Sequence, residues 1–96
     1  MDYHEFISSL QENFPPKDIP SQLESLWYDG KGNWIKAHDI ADGPADRLSA
    51  RVHAYLHRKE GDLWNANYWY KRASEELPDL SLDEEWEMLV RRILNA

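Results

Sequence analysis

Apolar residues recur at helical spacing through most of the chain. Tyr3, Phe6, Ile7 and Leu10 form one stripe near the N-terminus, and Leu82, Trp86, Leu89, Val90 and Ile93 form another near the C-terminus. Intervals of three and four residues put each set on one face of a helix. Two central segments are apolar on two sides. In 45–60, Leu48, Val52, Tyr55 and Leu56 share one face, and Ala50, His53, Ala54 and His57 share a second. In 63–76, Leu63, Ala66, Tyr70, Ala73 and Leu77 form one stripe, with Trp64 and Tyr68 well away from it. A helix that is non-polar on two sides packs against two neighbours, so the pattern predicts stacked central helices closed by outer ones.

Proline and glycine mark the boundaries. Pro15, Pro16 and Pro20 cluster, Gly30 and Gly32 flank Lys31, Gly43 precedes Pro44, and Gly61 and Pro78 stand alone. The intervening stretches predict helices over 2–13, 21–29, 34–42, 45–60, 63–76 and 82–95. Ser21 with Glu24 and Ser81 with Glu84 have the capping-box spacing, with Asp2 and Glu5 as an acidic analogue, and Asn33 and Asp62 stand where an N-cap oxygen is needed. No run alternates with period two and β-branched residues are few, so no strand is predicted. The expected fold is all-α, in a single domain over 1–96: an N-terminal helix in 1–14, a short hairpin in 20–44, a second hairpin in 45–78 and a C-terminal capping helix in 81–96.

The two hairpins overlay. Tyr28-Asp-Gly-Lys-Gly-Asn-Trp-Ile-Lys-Ala37 aligns with His57-Arg-Lys-Glu-Gly-Asp-Leu-Trp-Asn-Ala66 at an offset of 61 − 32 = 29, matching Gly32 to Gly61, Asn33 to Asp62 and Ala37 to Ala66. The second unit resembles a tetratricopeptide (TPR) or Sel1-like repeat. Ala54 and Gly61 stand at its small-residue positions, Ala66 and Tyr70 at its Ala/aromatic pair, and Ala73 and Pro78 at the following Ala and terminating Pro. His53 and His57 replace the Leu and Tyr of that pattern, Ala50 replaces its Trp, and the first unit keeps only Tyr28, Gly32, Ala37 and Pro44. The run from His53 to Ala73 also resembles the signature of a family of small helical microbial proteins with no known function. That second likeness speaks to fold and supplies no chemistry.

Composition narrows the function classes. The 96 residues carry 18 acidic and 11 basic side chains, a formal net charge of −7, which argues against a nucleic-acid partner and against an anionic membrane surface. Without cysteine, disulfides, thiolate metal sites and cysteine nucleophiles are excluded. No apolar run is long enough for a membrane span or a leader's core, and the expected location is cytoplasmic.

Two clusters carry candidate chemistry. Arg47, Arg51 and Arg58 make a cationic stripe on 45–60, beside Tyr55 and Lys59. The repeat resemblance implies that Arg51, Tyr55 and Arg58 line a concave groove, where guanidinium groups would grip carboxylates of a peptide or protein partner. A small interaction module working through Arg51, Tyr55, Arg58 and Lys59 is therefore the leading expectation, with self-association through Trp64 and Tyr68 as a further partner. The alternative is a metal-binding protein, or a metal-dependent or acid–base enzyme. His53 and His57, four residues apart, present two imidazoles from one helix face, and His38 would join them from the neighbouring helix, with Asp39 or Asp62 as an oxygen donor. Ala54 follows His53, so the segment is not the H-E-x-x-H motif and lacks that motif's general base. The plainer expectation packs both rings in the hairpin interface, bonded to a carbonyl or to Asp62. No cofactor is required by the sequence, and a divalent metal is the one it would accommodate. Trp64 and Tyr68 are expected to receive the C-terminal helix, Asp83, Glu84, Glu85 and Glu87 to be the solvated start of that helix, and His4 to be solvated.

Overall fold

A computed structural model describes residues 1–96 and shows an all-α protein: α1 (Tyr3–Ser9), α2 (Ser21–Gly30), α3 (Trp34–Ala41), α4 (Arg47–Lys59), α5 (Leu63–Arg72) and α6 (Leu82–Leu94). Five of the six starts have a side-chain cap. Asp2 with Glu5 and Ser81 with Glu84 close reciprocal capping boxes, while Asn33, Asp46 and Asp62 each accept an N–H from the first turn. Ser21 does not cap: Pro20 takes the N-cap position and Ser21 is already helical, so the expected box with Glu24 is absent. The helix expected over 63–76 stops at Arg72, where Ala73 caps the helix and Ser74 turns left-handed at φ 61°. Gly32 and Gly61 have φ of 82° and 87°, which is what a chain leaving one helix and entering the next through an αL residue requires.

The helices pair as two hairpins, α2 with α3 and α4 with α5, and α4 also lies against α3 and α2. α6 returns across α2 and α4, and α1 packs on α6. The main core gathers Phe6, Leu23, Leu26, Trp27, Val52, Tyr55, Leu56, Leu89, Val90 and Ile93, with Ala37 and Ala41 of α3 along its edge. A smaller cluster of Ala54, Ala66 and Tyr70 joins α4 to α5, where the alanines let the two backbones approach. Gly30 serves a similar end: a Cβ there would lie 3.1 Å from both Leu10 and Trp86.

The C-terminal helix does not dock on Trp64 and Tyr68. Trp86 stacks obliquely on Phe6 at 6.0 Å and donates its indole N–H to the Leu26 carbonyl, which places α6 on the opposite side of α4. Trp64 is left 77% exposed and Tyr68 45% exposed, on an outer face of α5. No helix is long and apolar enough to cross a membrane.

Candidate metal centre

Between α3 and α4 three imidazoles meet. The four-residue spacing stacks His53 and His57 one turn apart, with ring centroids 4.8 Å apart, and α3 brings His38 edge-on to both, at 4.6 Å from His53 and 5.1 Å from His57. Each offers one ring nitrogen such that all three lie within 4.8 Å of one another. His38 Nε2 and His53 Nε2 are 2.9 Å apart, the separation of a hydrogen bond between one protonated and one bare ring nitrogen.

Two tryptophans wall the cluster. Trp69 of α5 stacks on His53 at 3.9 Å, and Trp34 stacks on His38 at 5.0 Å while its own N–H is held by the Leu56 carbonyl at 2.8 Å. Carboxylates stand behind two of the rings. His57 Nδ1 is 2.6 Å from Glu60 Oε1, and His53 Nδ1 faces Asp42 Oδ1 at 3.9 Å, beyond hydrogen-bond reach. That His53 nitrogen is buried without a partner. Burial first, and then the neighbouring His38 and His57, push the His53 pKa down to about 4, so its ring is neutral at pH 7.

The His53 and His57 rings are both buried in the helix interface, as the plainer expectation had it, but their hydrogen-bond partners are His38 and Glu60 and not a carbonyl or Asp62, although Asp62 has an oxygen within 4.8 Å of a His57 ring nitrogen. His57 takes Glu60 as its partner, and Asp62 spends both carboxylate oxygens on Asn65. Asp39 is exposed and stands outside the trio of nitrogens. His4 is exposed, as expected.

The arginine face has a different fate. Arg51 and Tyr55 are 1% and 2% exposed, and the four residues do not share a groove: Tyr55 and Lys59 edge a cleft with Asp29, Gly30 and Trp86 that neither Arg51 nor Arg58 reaches. The reason is α6, which lies across this side of α4 and brings a fully buried Glu85 against it. Glu85 Oε1 accepts from Arg58 Nη1 at 2.7 Å, and Oε2 accepts from the Tyr70 hydroxyl at 2.6 Å. Arg51 Nη1 also sits 2.6 Å from Oε2, a close charge contact at an angle unsuited to a hydrogen bond. Arg58 donates further to the Leu80 carbonyl, and Arg51 Nε to Glu75, which in turn pairs with Arg92. Tyr55 donates to Asp29 Oδ2 at 2.7 Å, and Lys59 to Asp29 Oδ1 at 2.9 Å. Burial and the adjacent Asp29 raise the Tyr55 hydroxyl far above its usual pKa, which keeps it a neutral donor. All four residues expected to bind a partner are thus joined to the molecule's own carboxylates.

Glu85 and Glu60 were missed as functional or structural partners. Glu85 reads in the sequence as one acid among several at a helix start, and nothing local marks it as buried. Glu60 was legible in principle: it lies three residues after His57 on the same helical turn. The chain matches no family model, and neither the curated proteins nor the solved structures contain a match to it.

Proposed function

We propose that this protein binds a divalent transition-metal ion through His38, His53 and His57. One observation carries the reading: three imidazoles from two helices converge so that one ring nitrogen of each lies within 4.8 Å of the other two. Imidazole donors suit Zn²⁺, Cu²⁺ and Ni²⁺. In a tetrahedral zinc site with bonds of 2.0–2.1 Å, ligand nitrogens sit about 3.3 Å apart, so His38 and His53 must part by about 0.4 Å and nitrogens as far as 4.8 Å apart must close by up to about 1.5 Å. Glu60 behind His57 supplies a carboxylate–histidine pair of the kind that fixes ring orientation in such sites, whereas Asp42, 3.9 Å from His53 Nδ1, does not bond its ring. With His57 Nδ1 committed to Glu60, Nε2 is its ligand atom. Three protein ligands leave a fourth position for water or substrate, the arrangement of catalytic rather than closed structural zinc sites.

The hairpin pair α2–α3 and α4–α5 is read here as a degenerate TPR-like unit, supported by the matching Gly32-Asn33 and Gly61-Asp62 junctions. In this reading α6 fills the side on which such units hold peptides, and the histidines work in its place.

Calorimetric titration with Zn²⁺ and Ni²⁺ tests the proposal. Wild-type protein should bind one equivalent with at least about micromolar affinity, near −8 kcal/mol. His57→Ala and His38→Ala should each abolish that heat while keeping the helical circular dichroism spectrum. Absence of heat in the wild type, or heat unchanged in both variants, overturns it.

A further inference from the structure

Beside the histidine cluster lies a cleft of about 180 Å³, formed by the loop between α3 and α4 and by the C-terminal part of α5. Asp42 and Trp69 belong to both, since each faces His53 from its own side. The cleft also holds Arg47 and Arg72. The chain has six arginines, and Arg51, Arg58, Arg91 and Arg92 all pair with carboxylates. Arg47 and Arg72 have no such pairing, although acidic residues outnumber basic ones by 18 to 11. Both guanidinium groups without an internal counter-ion therefore line the same cleft.

Arg72 is also fixed in place. Its guanidinium lies 5.3 Å over the Trp69 ring and 5.7 Å over the Tyr68 ring, and Nη1 donates to the Tyr68 hydroxyl at 3.0 Å. An aromatic-stacked arginine has lost much of its rotamer freedom before any ligand arrives, so less is lost on binding. Two carboxylates share the cleft. Asp46 accepts from the Ser49 N–H and from Gln22 at the start of α4, while the Asp42 carboxylate makes no hydrogen bond and stands at the histidine end, 3.9 Å from His53 Nδ1.

We infer that this cleft is a binding site for a small oxyanion, a phosphate or carboxylate group, gripped between Arg47 and Arg72 next to the histidine cluster. The site goes beyond the metal reading and does not depend on it, since no histidine nitrogen is needed to hold the anion.

The test is calorimetric titration of chelator-treated, metal-free protein with inorganic phosphate and, separately, with succinate. Saturable binding of either supports the site, and which of the two binds identifies a phosphate or a carboxylate as the group it takes. Arg47→Gln with Arg72→Gln should weaken binding by at least about tenfold. Arg47→Lys with Arg72→Lys should lose less, because charge remains and only the forked geometry is removed. Both arginines are exposed, so neither pair of changes threatens the fold. If neither anion binds, or if the glutamine variant binds as well as the wild type, the inference is wrong. Zinc titration of the glutamine variant should match the wild type, so failure of the metal reading and failure of this one remain distinguishable.

Discussion

His53 occupies the least comfortable position in the molecule: 2% exposed, stacked on Trp69, in contact with two other imidazoles, and with one nitrogen unbonded. The cost of charging it there has a measurable consequence. The unfolded chain protonates this side chain near pH 6.5, while the folded chain does so only near pH 4. Between those values the unfolded state binds the extra proton, so stability is full above the window and declines as pH falls through it. The contribution is about 3 kcal/mol at most. Urea unfolding of metal-free protein at about pH 7 and about pH 4.5 should show this loss, and His53→Gln should flatten the dependence. Glu60 offers a second residue-scale prediction. It touches no proposed metal position, but it holds His57 by Nδ1 at 2.6 Å. Glu60→Gln should leave one metal bound per chain and weaken the affinity about 10- to 100-fold, measured by competition against a chelator.

At the scale of elements, α6 is held by more than its apolar stripe. Glu85 enters the interior and meets Arg58, Arg51 and Tyr70, tying α6 to both helices of the second hairpin. Burying a carboxylate is costly, and the arrangement is tolerable because the charges and lone pairs are matched at once. Removing one partner leaves the others stranded. Glu85→Gln preserves volume and creates no cavity, yet should destabilise the fold by about 3–5 kcal/mol in urea unfolding. This network is also where the sequence was least informative. Glu85 has the spacing of a first-turn acid that complements the helix dipole, exactly like its exposed neighbours Asp83 and Glu84. Its burial comes from the angle at which α6 crosses α4, a tertiary fact with no local signal. By contrast, helix existence and most caps were legible because they depend on residues within one turn. So was the shared face of His53 and His57, which follows from the 3.6-residue period alone. His38 lay in between. Its place in the trio needed α3 to fold beside α4, and the short hairpin loops at Gly32 and Gly43 made that juxtaposition readable in advance.

For the whole molecule, the histidine cluster matters because of what it joins. His38 belongs to the first hairpin and His53 and His57 to the second, so a bound ion would cross-link two units that otherwise share the apolar core. Binding to the folded chain alone stabilises it by mass action, about 2.7 kcal/mol when free metal is at 100 times the dissociation constant. For a chain of this size each kcal/mol moves the melting temperature by about 4–8 °C, so zinc should raise it by roughly 10–20 °C in scanning calorimetry. The two-hairpin geometry makes the sharper demand. His38→Ala on α3 should abolish the rise as fully as His57→Ala on α4. A rise that survives in His38→Ala would mean the ion sits on α4 alone, held by the i, i+4 pair, and that the two hairpins are joined by packing and not by the metal.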